Sequence, residues 1–440
     1  MDIKIDYTDK EISPWSGMIL MKQIIEKTGI LEKLKKIDLP SQGSNRGYSP
    51  IQLIQQFWLS VWCGANKFEH LEVTRQDEVL KQVFGFKQMA GHGSFQRYFE
   101  KFDISKNQEV FDELYSWFFE QIKRDTITID FDSTILTRYG NQEGALKGYN
   151  PKKPGRASHH PIMAFIPETE MVANIWLRSG NANSSSNFIN FLENTISRLS
   201  TKKIGLIRAD SGFYEDGILS YLEQRDNALD YIVACKFYQP LQRHIASIQN
   251  WWPIDDGLEI ADTLYQSPSW KQDRRLVVVR QYIPKRPKST GRTLKLFEDD
   301  IIIKKYRYAS YVTTLTIAPE LVSRTYRDRA NAENQIKELK YDFSMDSFNV
   351  KHFYATEATL NFVMMAYNLM SIFKRTVIKS NVNQRLQTLR YKLFAIGGFI
   401  VKEGNQKILK LSIKMKQRKW FTSLWESTQN LNLTLIHFNP

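Results

Sequence analysis

The chain has 440 residues, 42% hydrophobic and 13% aromatic, which is enough apolar side chain for a buried core in two or three domains and excludes a disordered or low-complexity protein. A formal charge of +14 and a pI near 9.4 favour a polyanionic partner, because clustered Lys and Arg gain free energy by displacing counterions condensed on nucleic acid. The two cysteines, Cys63 and Cys235, exclude a disulfide framework and a Cys-based zinc site within one chain, and they suit a reducing compartment.

The start, "MDIKIDYTDKEISPW", lacks a basic stretch followed by an apolar run, so no secretory signal is expected and a cytoplasmic location is the default. Residues 1–120 read as a helical region. "SPIQLIQQFWLSVWCGA" opens with Ser49 as an N-cap before Pro50, and "GSFQRYFEKF" opens similarly at Ser94, with Phe95, Tyr98, Phe99 and Phe102 at the spacing of a core-facing stripe.

Near residue 125 the period changes from 3.6 to 2. "TITIDFDSTIL" places Ile127, Ile129 and Phe131 on one face of a strand, with Thr128, Asp130 and Asp132 on the other. "HHPIMAFIPE" and "MVANIWLRSGN" read as neighbouring strands. "SSSNFINFLENTISRLS" reads as a helix capped by one of its serines, "IGLIRADSGF" as a buried strand entering a turn, and "DYIVACKF" as a further strand. This mixture predicts an α/β core over residues 121–236, resumed over 306–345. Between them, residues 237–305 carry "WWPIDDG", "RRLVVVRQYI" and the basic loop "PKRPKSTGR", and they predict a β-rich insertion forming a subdomain. Residues 346–440 read as helical. The apolar "LNFVMMAYNLMSIF" is too short to cross a bilayer, and Met364, Met365 and Met370 are expected in a core.

Pro319 opens a helix containing "TYRDRANAENQIKELKYD". At about 100° per residue, Tyr326, Arg329, Glu333 and Lys340 lie at roughly 0°, 300°, 340° and 320°, one narrow stripe, while Glu338 falls at about 120°. Such a stripe is either a solvated charged face or part of a site. The carboxylate pair on the first strand, Asp210 in "RADSGF" and Glu333 favour a site: oxygen ligands gathered at one end of a sheet suit a pair of hard divalent cations and in-line displacement at phosphorus. Arg329 and Lys340 would then neutralise phosphates, and Tyr326 would hydrogen-bond a phosphate or stack on a base.

The spacing YxxRxxxExxxxxxK through Tyr326, Arg329, Glu333 and Lys340 resembles the YREK signature of a large group of bacterial insertion-sequence transposases with a DDE catalytic triad. That group's first aspartate sits in an Asp-x-Thr pattern, matched by Asp132, Ser133 and Thr134. Its second precedes a Gly-Phe turn, matched by Asp210, and "GYNPKKPGR" resembles a subgroup loop. The resemblance covers roughly residues 125–345.

It implies a ribonuclease-H-like catalytic core with a β-rich insertion before the Glu, a homodimer in the synaptic complex, and cleavage of double-stranded DNA at terminal inverted repeats. The freed 3′ ends are then joined to target DNA, using Mg²⁺, for which Mn²⁺ can substitute. It selects Asp132 over Asp130 and assigns Asp132, Asp210 and Glu333 as metal-binding catalytic residues. Asp210 could otherwise be a turn cap. Lys236 and the loop residues Lys152, Lys153 and Arg156 are candidate DNA contacts beside Tyr326, Arg329 and Lys340. Trp251, Trp252 and Trp270 are candidates to hold a flipped base, with buried structural tryptophans the competing reading.

Adjacent residues of an extended chain point to opposite faces, so His159 and His160 are expected to be structural, and no phosphate loop for ATP is present. The N-terminal region and the insertion are expected to grip the DNA ends, and the C-terminal helices to contribute to dimerisation. Competing readings are a structure-selective nuclease or resolvase of the same fold and a catalytically inactive, transposase-derived DNA-binding protein.

Overall fold

Strand alternation in "TITIDFDSTIL" produces β1 (Thr126–Ser133), with Ile127, Ile129 and Phe131 at most 3% exposed on the face packed against the core. The computed structural model describes residues 3–44, 47–283, 305–380 and 382–431; the basic loop "PKRPKSTGR" lies outside them. β1 belongs to a nine-stranded mixed sheet with β5 (Ile162–Ile166), β6 (Met171–Trp176), β7 (Lys203–Ala209), β8 (Tyr231–Ala234), β9 (Trp252–Asp255), β10 (Leu258–Tyr265), β11 (Arg274–Tyr282) and β12 (Tyr306–Thr313). The order is β6-β5-β1-β7-β8-β12-β11-β10-β9. β1 pairs in parallel with β7 and β7 with β8; every other neighbour is antiparallel. A second, three-stranded sheet of β2 (Leu136–Thr137), β3 (Leu146–Lys147) and β4 (Ala157–His159) lies beyond the end of β1.

The helix Phe353–Phe373 is apolar nearly all round because it is buried nearly all round, and Met364, Met365 and Met370 are fully buried. Its Asn368 faces the free edge of β6, where Oδ1 accepts from Val172 N at 2.8 Å and Nδ2 donates to Val172 O at 2.9 Å. The sheet edge is thereby satisfied from inside an apolar helix. From the other side, the helix Pro50–Trp62 sends the indole N–H groups of Trp58 and Trp62 to the carbonyls of Phe362 and Ala366, at 2.9 and 3.1 Å. This joins the N-terminal helices to the sheet's covering layer. Among the described residues no helix is long and apolar enough to cross a membrane.

Several local expectations change. Ser49 caps its helix as expected, accepting from Gln52 N at 3.2 Å. The helix expected to open at Ser94, however, starts at His92, where Glu72 from a neighbouring helix accepts the His92 N–H at 2.8 Å. The helix Phe188–Leu199 has no serine cap. Asn187 leads into it in a left-handed conformation, and the Arg178 guanidinium instead gathers the carbonyls of Asn183, Ser184 and Ser186.

Among the described residues, the strands of 237–305 form no separate sheet: β11 pairs with β12 along its length, so β9–β11 extend the main sheet. A hairpin, β13 (Gly398–Glu403) and β14 (Gln406–Leu411), interrupts the helical C-terminal region. The helix opened by Pro319 is two helices, Pro319–Arg327 and Ala330–Tyr341.

Candidate active site

The last paired rung of β1 and β7 is Phe131 with Ala209, so Asp132 and Asp210 stand side by side at the next position, where the two parallel strands end. Asp132 is 8% exposed, and its Oδ1 accepts from Ser133 N at 2.7 Å. Asp210 leaves β7 and caps the short turn Ser211–Phe213, accepting from Gly212 N at 2.8 Å. That cap orients the Asp210 carboxylate, so the turn-cap and site readings of this residue describe the same geometry.

Glu333 lines the same cleft from the helix Ala330–Tyr341. The break before that helix is slight. Asp328 and Arg329 keep right-handed helical torsions (φ −62°, ψ −18° and φ −59°, ψ −20°), and the bonds across it tighten to the i+3 pattern, as in Arg329 N to Tyr326 O at 3.0 Å. The stripe therefore survives the break. Tyr326, Arg329, Glu333 and Lys340 all line one cleft of about 590 Å³ with Asp132 and Asp210, joined by Lys152 and His160. Glu338 points elsewhere, as the helical wheel requires, and pairs with Lys374 at 2.9 Å.

Within the cleft Arg329 and Lys340 are turned inward, while Lys152 and Lys337 stay exposed. Arg329 is 5% exposed; its Nη2 meets Asp132 Oδ2 at 3.0 Å and donates to Phe131 O at 3.1 Å, while its buried Nε has no partner. Lys340 Nζ donates to Ile135 O at 3.0 Å. Burial pushes the Lys340 ammonium down to about 8, with Lys152 adding to the effect and Asp346 and Asp132 opposing it. Tyr326 packs its ring 4.4 Å from that of Tyr311, and burial raises its phenol pKa.

For Asp132, burial is the largest influence and lifts the carboxyl to about 6. Arg329 opposes this lift, and the charges of Asp210 and Glu333 add to it. Asp132 thus feels the negative charge of both Asp210 and Glu333, and an all-oxygen donor set of this kind fits a hard divalent cation. As now arranged, no three His, Cys, Asp or Glu side chains among the described residues stand close enough to hold an ion, and Asp132 Oδ2 is engaged by Arg329. The donor chemistry fits; closing the site on an ion requires the three carboxylates to draw closer, in competition with Arg329 for Asp132.

Asp130 shares a strand face with Asp132 but not its surroundings. Fully buried, it is held by Arg208 through Nε–Oδ1 at 2.6 Å and Nη2–Oδ2 at 2.8 Å, and Arg208 also donates to Thr325 O. This ties β1 and β7 to the helix Pro319–Arg327 and leaves Asp130 no oxygen for the cleft.

Of the loop residues, Lys152 reaches the cleft wall, whereas Lys153 and Arg156 are exposed outside it, Arg156 lying 5.8 Å from the Tyr139 ring. Lys236 follows β8 without lining the cleft. None of the three tryptophans lines it either. Trp270 is 7% exposed beneath Arg274, Trp251 lies half-buried under Arg280, and Trp252 is 48% exposed. His160, read from sequence as structural, lies on the wall. Its Nδ1 donates to Ala182 O at 2.7 Å, which leaves neutral Nε2 to accept from Ser133 Oγ at 3.1 Å, beside Asp132. No spacing rule marks such a residue. His159 turns the other way, onto Arg138 and Glu143.

No protein of curated function matches the sequence. The chain is similar to piggyBac transposase in a cryo-EM structure of its synaptic complex with hairpin DNA, with TM-score 0.48 and 12% identity over 86% of this chain and 78% of that one. A family model described as Transposase DDE domain group 1 matches residues 1–433, nearly the whole sequence. The chain therefore belongs to the group 1 family of DDE transposase domains.

Proposed function

We propose that this protein is a bacterial insertion-sequence transposase of the YREK group, which cleaves double-stranded DNA at terminal inverted repeats and joins the 3′ ends to target DNA. The observation that carries the reading is that Asp132, Asp210 and Glu333, from three segments well separated in the chain, line one cleft with Tyr326, Arg329 and Lys340. The order β6-β5-β1-β7-β8, with β1, β7 and β8 parallel, supports a ribonuclease-H-like core.

Asp132, Asp210 and Glu333 would hold Mg²⁺ or Mn²⁺, which when bound supplies the charge that activates an attacking oxygen and stabilises a leaving one at phosphorus. The chain's own part is positional and electrostatic. The Gly212 amide holds the Asp210 carboxylate and the Ser133 amide holds that of Asp132. Lys340 and Lys152 place positive charge where a scissile phosphate would enter, and Lys153, Arg156 and Lys236 would track the backbone further out. The reading includes a homodimeric synaptic complex, a cytoplasmic location with association to the nucleoid, and DNA-end binding by the N-terminal helices and the strands of the insertion.

The test is a strand-transfer assay with element ends and a supercoiled target in Mg²⁺. Joined products support the reading. Cleavage without joining would reduce the protein to a nuclease, and binding without cleavage to a DNA-binding relic.

A further inference from the structure

Residues 385–420 contain ten Lys and Arg and one carboxylate, Glu403, a surplus of nine within a chain whose total is +14. Glu403 is already taken by Lys410 at 3.2 Å. Two of the cations serve the fold: Arg385 pairs with Asp342 at 2.6 Å, and Arg390 donates to the carbonyls of Trp62, Val61 and Asp342. Lys392, Lys414, Lys416 and Lys419 are exposed and form no ion pair among the described residues.

This surplus is continuous with the catalytic cleft. Tyr341, at the cleft's edge, also lines a second groove of about 570 Å³ floored by Arg385 and Arg390. Tyr391 and Ala395 belong both to that groove and to a third, of about 540 Å³, walled by Lys392, Lys414 and Trp420. Tyr341, Tyr391 and Trp420 are 67%, 78% and 43% exposed along this path. Exposed lysines interleaved with hydroxyl-bearing and indole rings offer hydrogen bonds and charge to phosphate oxygens without reading a sequence.

We infer that this C-terminal surface is a backbone track for duplex DNA leading away from the catalytic cleft. The assignment rests on the transposase reading for its substrate and goes beyond it in giving a DNA-holding role to the region otherwise expected only to dimerise. A self-association face would have to bring the seven remaining surplus charges, left once Arg385, Arg390 and the cation balanced by Glu403 are set aside, against the same seven, whereas a duplex neutralises them.

The test measures binding of the full-length chain to a random-sequence duplex in metal-free buffer, by fluorescence anisotropy across a salt series. It compares wild type with the pair Lys392→Gln and Lys414→Gln, and with a control pair, Lys123→Gln and Lys203→Gln, exposed near the opposite ends of β1 and β7. Each lost phosphate contact flattens the plot of log K against log salt by about 0.9, so the track pair is expected to flatten it by about 1.8 and the control pair to leave it unchanged. All four lysines are exposed, so unchanged thermal unfolding is expected and confirms the fold. An unchanged slope in the track pair overturns the assignment, as does a loss of dimer mass by light scattering with DNA binding intact. Because no metal is present, this result is independent of cleavage: a wild type that binds with the predicted slopes yet cuts nothing would contradict the transposase reading and leave the track standing.

Discussion

Arg329 Nη2 lies 3.0 Å from Asp132 Oδ2, so the positive charge beside this buried carboxylate is supplied by the protein itself. Removing one member of a buried pair strands the other, at a cost on the order of 3 kcal/mol. Arg329→Met is therefore expected to lower stability by about that much in chelator, measured by denaturant unfolding. Added Mn²⁺ should raise its melting temperature more than that of wild type, because no guanidinium charge then competes for Asp132. Equal stability in chelator would show that Arg329 is not the counter-ion of Asp132.

Asp130 and Asp132 lie on one strand face two residues apart, and replacing each by Asn separates their roles. Asp130→Asn leaves Arg208 half-paired inside the fold. It is expected to cost roughly 2 to 3 kcal/mol of stability while folded molecules retain cleavage. Asp132→Asn should abolish cleavage, with a stability loss of similar size because it strands the buried Arg329. Reversal of the two phenotypes would exchange the assignments.

Glu357 gives a pH dependence remote from the cleft. Burial lifts its carboxyl to about 7, opposed by hydrogen bonds from Leu177 N and Asn107 Nδ2, and the neighbouring Asn107 Oδ1 and Asn361 Oδ1 are buried acceptors with no donor. A folded-state pKa above the unfolded value of 4.5 means that the native state holds the proton longer, so stability falls as pH rises from about 4.5 to about 7. Glu357→Gln should flatten this decline and raise stability at pH 8 by on the order of 2 kcal/mol. A decline unchanged in the variant would exclude Glu357 as its source.

Gly212 sets the Asp210 carboxylate. A Cβ added there would stand 2.7 Å from Ser184 Cβ and 2.8 Å from Asp210 Oδ1, so the carboxylate or the serine must move. Gly212→Ala is expected to lower the cleavage rate about 100-fold, the scale of a 1 Å misplacement, with circular dichroism and DNA affinity near wild type. A rate within a few-fold of wild type would show that the turn tolerates the displacement.

The helical stripe was legible in sequence because Tyr326, Arg329, Glu333 and Lys340 obey a period that the slight break at Asp328 and Arg329 barely disturbs. Depth was not legible. A charged residue on a helix wheel carries no mark of whether it meets solvent, and Arg329 meets Asp132 only because the helix crosses the end of β1. Nor could Asp130 be set aside by spacing, since its partner Arg208 is a register neighbour known only once β1 and β7 pair in parallel. The strands of residues 237–305 alternate as expected, but no local pattern states which sheet they join. The hairpin of β13 and β14 was readable in principle from "IVKEGNQKILKL", where Gly404 turns at φ +59° between alternating stretches.

The central claim is that Asp132, Asp210 and Glu333 act as one metal-binding set on a DNA phosphate. The most direct measurement takes Asp132→Asn, Asp210→Asn and Glu333→Gln singly and records, for each, Mg²⁺-dependent cleavage of an element-end duplex and affinity for that duplex in chelator. All three are expected to lose cleavage by more than about 1000-fold while binding the DNA within a few-fold of wild type. Cleavage persisting in any one of them would contradict the account.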